Sequence, residues 1–93
     1  MTDLEKARLL IDETDRSMAE LFSKRMDAAR QVALFKAEHG LQVEDKAREE
    51  QIISRNSQWI ENDEYRSYYI KFLQQTMAIS REFQQKILDG KNR

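Results

Sequence analysis

The stretch from Asp3 to Glu38 constrains the fold most, because neither proline nor glycine interrupts it. Thr2 followed by Glu5 has the spacing of a capping box, and His39-Gly40 is a helix stop in which glycine can adopt a positive φ. We therefore predict one helix over residues 3–38. Apolar residues recur along it at helical spacing, namely Leu4, Ala7, Ile11, Met18, Leu21, Ala28, Val32 and Phe35.

The rest of the chain also favours helices. It has no proline and only two glycines, Gly40 and Gly90, which are too few turn residues for a β-rich domain. Glu44 or Asp45 can cap a second helix, and the Asn or Asp of the polar segment 61–64 can cap a third, which Gly90 would end. We predict an all-α fold in a single domain over residues 1–93, with helices at about 3–38, 45–61 and 64–89.

The length of the first helix predicts a second chain. A helix of about 36 residues is roughly 54 Å long, whereas a compact domain of this size has a radius of gyration near 12 Å. The helix must overhang its own fold and leave an apolar stripe uncovered. We therefore expect an intertwined homodimer whose long helices run antiparallel.

Charge and composition exclude several classes of function. A net charge of −1 argues against partners such as nucleic acid or a membrane surface, which require a basic excess. With no cysteine and a single histidine, the chain has no thiolate or multi-histidine metal site. No apolar run approaches the ~18 residues of a membrane span, and the acidic, polar first residues are no signal peptide. We expect a cytoplasmic protein that binds no metal.

Charged residues lie on or beside the apolar stripe of the first helix. Arg25 and Lys36 are three turns apart and project within about 20° of each other. Arg8 lies about 25 Å before Arg25 along the same helix. One small molecule can touch both Arg8 and Arg25 only if Arg8 comes from an antiparallel second chain.

Polar residues also mark one face of each later helix. Asp45, Arg48 and Glu49 have i, i+3, i+4 spacing, and Ser80 and Gln84 interrupt an otherwise apolar row on the third helix. Together with the cations of the first helix, they favour a site for a compact dianion.

Each observation also has a simpler interpretation. The arginines can be surface side chains, the 45–49 cluster a helix cap with an exposed salt bridge, and Ser80 and Gln84 an interhelical hydrogen-bonded pair. Arg81 adds a charge near the predicted pocket, and the sequence does not set its direction.

Along the chain the polar and charged residues and their neighbours follow one order, Arg8-x2-Ile11-Asp12-x2-Asp15, Leu21-x3-Arg25, Lys36, Val43-x-Asp45-x2-Arg48-Glu49 and Ser80-x3-Gln84. This order and spacing resemble those of the all-helical chorismate mutases over nearly the whole chain. The resemblance implies a homodimer with two equivalent pockets and no cofactor. It also implies a reaction, the Claisen rearrangement of chorismate to prephenate in phenylalanine and tyrosine biosynthesis.

The resemblance also implies a role for each site residue. Arg25 and Arg8 of the partner subunit would clamp the two carboxylates, and Arg48 and Ser80 would assist them. Lys36 and Gln84 would donate hydrogen bonds to the ether oxygen. Glu49 would hold the ring hydroxyl as a hydrogen-bond acceptor, helped by the backbone near Asp45.

Two rival functions remain at this point. An isochorismate pyruvate lyase shares the fold and much of the cationic site, but an acceptor for the ring hydroxyl at Glu49 favours a mutase. A non-catalytic helical interaction module would keep strict heptads, from which this pattern drifts.

Overall fold

The computed structural model describes residues 1–91, which form three α-helices. They are α1 (Asp3–Glu38), α2 (Lys46–Ser57) and α3 (Asp63–Lys91). Residues 92 and 93, the end of the predicted domain, lie outside the described residues. Within residues 1–91 there is no strand, which confirms the all-α prediction.

Both ends of α1 are formed by the predicted capping residues. The Glu5 amide donates to Oγ1 of Thr2 at 3.1 Å, and the Thr2 amide donates to Oε1 of Glu5 at 3.3 Å. At the other end Gly40 has a φ of 63°, which lets the Leu41 amide donate to the carbonyl of Lys36 at 2.9 Å. The chain therefore leaves α1 in a defined direction and passes directly into the loop before α2.

The second helix is shorter than predicted, because it ends at Ser57 and not near residue 61. Arg66 of α3 accounts for this ending. Its guanidinium donates to the carbonyl of Ser57 at 3.0 Å and to that of Ile60 at 2.6 Å. Ser57 is the last residue of the helix, where carbonyls have no partner within the helix, and Ile60 lies in the connection that follows.

The third helix begins as predicted but continues past its predicted end. Oδ1 of Asn62 accepts the Glu64 amide at 3.0 Å and so caps the first turn. The prediction that Gly90 ends the helix is wrong, because α3 continues to Lys91. Gly90 does not adopt the positive φ that a glycine stop requires.

The core of the described chain is small and lies at one end of α1. α3 packs against both α1 and α2. Ala33 of α1, Val43 of the loop after α1 and Leu88 of α3 form the buried cluster. The only residues of α1 that are buried are Ala29 and Ala33. The molecule measures 56 × 25 × 14 Å, so most of the first two thirds of α1 extends beyond the fold, as its length predicts.

Much of the apolar surface of α1 has no partner within residues 1–91. Nine large apolar residues of α1, spread from one end of the helix to the other, each have more than 40% of their surface exposed. The prediction of an intertwined homodimer stays a prediction, because the structure contains a single chain. The exposed side chains are Leu4, Leu9, Leu10, Ile11, Met18, Leu21, Phe22, Val32 and Phe35.

Candidate active site

A cavity of about 320 Å³ lies between the three helices, within the size range of small-molecule sites. Every site residue predicted from the sequence lines it except Arg8. The polar lining consists of Arg25, Lys36, Asp45, Arg48, Glu49, Ser80, Arg81 and Gln84. The apolar lining consists of Ala28, Ala29, Val32, Val43, Ile52 and Met77.

Helical periodicity explains why distant residues meet in this cavity. On α1, Arg25, Ala29, Val32 and Lys36 recur at spacings of three and four and so share one face. On α3 the same spacing aligns Met77, Ser80, Arg81 and Gln84. The start of α2 brings the cluster of residues 45–49 opposite these two faces.

Lys36 joins α1 to the loop that follows it. Its Nζ donates a hydrogen bond to the carbonyl oxygen of Val43 at 2.8 Å, and the side chain is half-buried. An ammonium group has three donors, so this contact leaves two for a molecule in the cavity. The charge is therefore held in place before any ligand arrives.

Gln84 is held in a similar way by α1. The side chain is buried, and its Nε2 donates to the carbonyl oxygen of Ala29 at 3.2 Å. This contact orients the amide and leaves its second N–H as a further donor. Ser80 lies one turn earlier, is also buried and lines the cavity. Gln84 is thus an interhelical hydrogen-bonding residue, but its partner is a backbone carbonyl and not Ser80.

The start of α2 combines a cap with an ion pair. Oδ1 of Asp45 accepts the Arg48 amide at 3.0 Å, which caps the helix as the simpler interpretation predicts. The Glu49 carboxylate pairs with Arg81 of α3 and not with Arg48. Arg48 lines the cavity and forms no ion pair within residues 1–91.

Arg8 is the one predicted site residue that the structure leaves outside the cavity. It lies exposed near the start of α1, about 25 Å from Arg25 along the helix axis. Both residues lie on the same continuous helix, so Arg8 cannot reach the cavity of its own chain. Its role stays a prediction that depends on a second chain.

Arg81 is a functional candidate whose side-chain direction could not be predicted from the sequence. Its position next to Ser80 indicated a charge near the site. However, a residue beside an apolar stripe can turn either into the site or towards solvent. In the structure Arg81 turns into the site, where it pairs with Glu49 of α2. The apolar lining was also missed, because alanine, valine and methionine at these spacings are typical of any helical core.

The cavity is positively charged overall. Its lining has four cations, Arg25, Lys36, Arg48 and Arg81, against two carboxylates, Asp45 and Glu49. Together with the neutral donors Ser80 and Gln84, this set fits a small molecule with more than one negative group. In the part of the chain that the structure describes, no three His, Cys, Asp or Glu side chains group closely enough to hold a metal ion. No helix there is long and apolar enough to span a bilayer.

Comparison with known proteins links this arrangement to one family. The family model described as chorismate mutase type II matches residues 7–85, which include all of α2, most of α1 and α3, and every predicted site residue. Searches of curated proteins and of solved structures found no match.

Proposed function

The chain belongs to the chorismate mutase type II family, a family of isomerases, and from this premise we propose that chorismate is rearranged to prephenate in the cavity between α1, α2 and α3. The observation that carries the proposal is the grouping of Arg25, Lys36 and Gln84 around one cavity of about 320 Å³. Arg25 supplies a cation for a carboxylate, and the other two supply hydrogen-bond donors.

The chemistry requires little more than these groups. A [3,3]-sigmatropic rearrangement proceeds without a nucleophile or a general base. It requires a flexible substrate held in a reactive chair and charge stabilised where the C–O bond breaks. Binding both carboxylates holds the chair and removes conformational entropy before the reaction. In our proposal Arg25 makes this clamp with the help of Arg48 and Ser80.

Lys36 and Gln84 are the proposed donors to the ether oxygen. Negative charge gathers on this oxygen in the transition state, and donors that are already oriented stabilise it most. Two contacts support the assignment: Lys36 is tied to the Val43 carbonyl and Gln84 to the Ala29 carbonyl. Each keeps at least one N–H for the substrate. Glu49 is the proposed acceptor for the ring hydroxyl, near the backbone of Asp45.

The second carboxylate clamp is proposed to come from a second copy of the chain. In an antiparallel dimer the overhanging part of one α1 would lie against the other chain and cover the exposed apolar side chains. Arg8 of the partner subunit would then enter the cavity. The length of α1, its unpartnered apolar face and the distance between Arg8 and Arg25 support this arrangement. The cytoplasm stays the proposed location.

The direct test adds purified protein to chorismate alone and follows the loss of its ultraviolet absorbance. We expect prephenate as the identified product, without any added metal or cofactor. Isochorismate is assayed in parallel under the same conditions. Pyruvate release from isochorismate at a higher kcat/KM than chorismate conversion would overturn the proposal in favour of a lyase.

Gln84→Glu is expected to change the pH dependence of the reaction. An amide donates at every pH, whereas a carboxyl donates only when protonated. The variant should therefore work better near pH 5 than near pH 8, and the wild type should lack this strong preference for acid. Gln85→Glu is the matched control, because Gln85 is exposed and bonds to Asp89 on the same helix. Equal kcat/KM of Gln84→Glu at the two pH values would contradict contact with the ether oxygen.

A further inference from the structure

Arg81 and Glu49 form the ion pair that joins α2 to α3. Nη1 of Arg81 lies 2.5 Å from Oε1 of Glu49, and the two side chains are 35% and 24% exposed. The other ion pair within residues 1–91, between Arg66 and Asp63, lies within α3. The Arg81–Glu49 contact therefore lets α3 hold the side chain of Glu49 on α2.

The pair lies between two cavities. Glu49 and Arg81 line the site described above and also a second cavity of about 410 Å³ between α2 and α3. Lys46 lines this second cavity, three residues before Glu49 and on the same side of α2. Without Arg81, the flexible Glu49 side chain could turn away from the site towards Lys46.

The contact with Arg81 occupies only one oxygen of the Glu49 carboxylate. Oε1 accepts from Arg81, and within the described chain no second hydrogen bond to this carboxylate is present. An ionised carboxylate has about four acceptor positions on its two oxygens, so Oε2 stays available. The arrangement holds the carboxylate and leaves it able to accept a hydrogen bond from a hydroxyl.

We infer that Arg81 is a positioning residue that turns the Glu49 carboxylate towards the ring hydroxyl of chorismate. The inference rests on the proposed function, because it takes Glu49 as the acceptor for that hydroxyl. Arg81 itself touches neither the ether oxygen nor the carboxylates of the substrate in this scheme. Its effect passes through Glu49.

Arg81→Met tests this role, since it keeps most of the length of the side chain and removes the charge. A hydroxyl contact is made in both the ground state and the transition state, so its loss raises KM and changes kcat little. We expect kcat/KM to fall about tenfold, the lower end for a hydrogen bond to a charged group, because the pair is partly exposed. Arg81→Lys should recover part of the loss. Lys86→Met, at an exposed position on the same helix, is the matched control.

A double-mutant cycle with Glu49→Gln separates positioning from a merely structural role. If Arg81 acts through Glu49, Arg81→Met should add little to the loss that Glu49→Gln already causes. A chorismate analogue with hydrogen in place of the ring hydroxyl should likewise bind equally well to the wild type and to Arg81→Met. Both measurements separate positioning from misfolding. A general loss of structure would lower kcat/KM further in the double variant and would also weaken binding of the analogue.

The outcomes distinguish this inference from the proposed function. If the two substitutions reduce kcat/KM additively, or if Arg81→Met and Arg81→Lys both keep the wild-type KM, Arg81 does not position Glu49. The mutase assignment stands in either case. If the wild-type protein does not convert chorismate, the proposed function fails, and the inference fails with it.

Discussion

Replacing Lys36 with alanine is expected to lower kcat on chorismate by two orders of magnitude or more. Loss of one oriented donor to a developing negative charge typically costs ~3–4 kcal/mol, which corresponds to ~10²–10³ in rate. Lys36 is the donor with a full charge, and its Nζ is already held at 2.8 Å from the Val43 carbonyl. The measurement is initial-rate kinetics at saturating chorismate, with far-UV circular dichroism to verify that the helices remain.

The contact with Val43 makes a stability control necessary. Removing this hydrogen bond also loosens the loop after α1 and is expected to lower the free energy of unfolding by about 1.5 kcal/mol, the lower end for a charged donor. The assay is therefore run well below the unfolding midpoint of the variant. Lys86→Ala removes an exposed lysine elsewhere and should keep the wild-type kcat. Full turnover by Lys36→Ala would refute its role at the ether oxygen.

The second large effect is expected from the two arginines that would share one pocket. Arg8→Ala and Arg25→Ala should each be nearly inactive as pure proteins, since each removes a clamp from both pockets of the proposed dimer. A mixed dimer places the intact Arg25 of one chain beside the intact Arg8 of the other. One of its two pockets is then complete. Random pairing of equal amounts gives about a quarter of the wild-type activity in a symmetric dimer.

The control for this experiment is proof that subunits exchange. Differently tagged chains are mixed, and co-purification of the two tags shows that mixed dimers have formed. Mixing either variant with itself should restore nothing. If exchange is demonstrated and activity does not return, the pocket is not shared between chains, and Arg8 has no place in it.

The fold could be predicted from local signals wherever those signals act alone. The Thr2–Glu5 capping box and Gly40 set the ends of α1 through contacts within a few residues. The predicted end of α2 was wrong, because a residue of another helix determines where α2 ends. Arg66 of α3 donates hydrogen bonds to the carbonyls of Ser57 and Ile60. No pattern within residues 45–61 contains this information.

The same distinction between local signals and contacts across elements applies to the candidate site. Spacing on single helices places Arg25 on the same face as Lys36, and Ser80 on the same face as Gln84, and all four line one cavity. The partners of these side chains could not be predicted, because the Val43 carbonyl, the Ala29 carbonyl and Glu49 are brought close only by packing between elements. Arg8 exposes a further limit, since its place depends on an assembly that a single chain does not contain.

The anchoring of Lys36 and Gln84 by main-chain carbonyls also bears on how such a site can evolve. A carbonyl is supplied by every amino acid, so the side chains at positions 29 and 43 can change to others of similar size without loss of the anchor. These two buried positions can then change while Lys36 and Gln84 keep their orientation. An anchor made by the main chain thus separates the orientation of a donor from the identity of the residue that holds it.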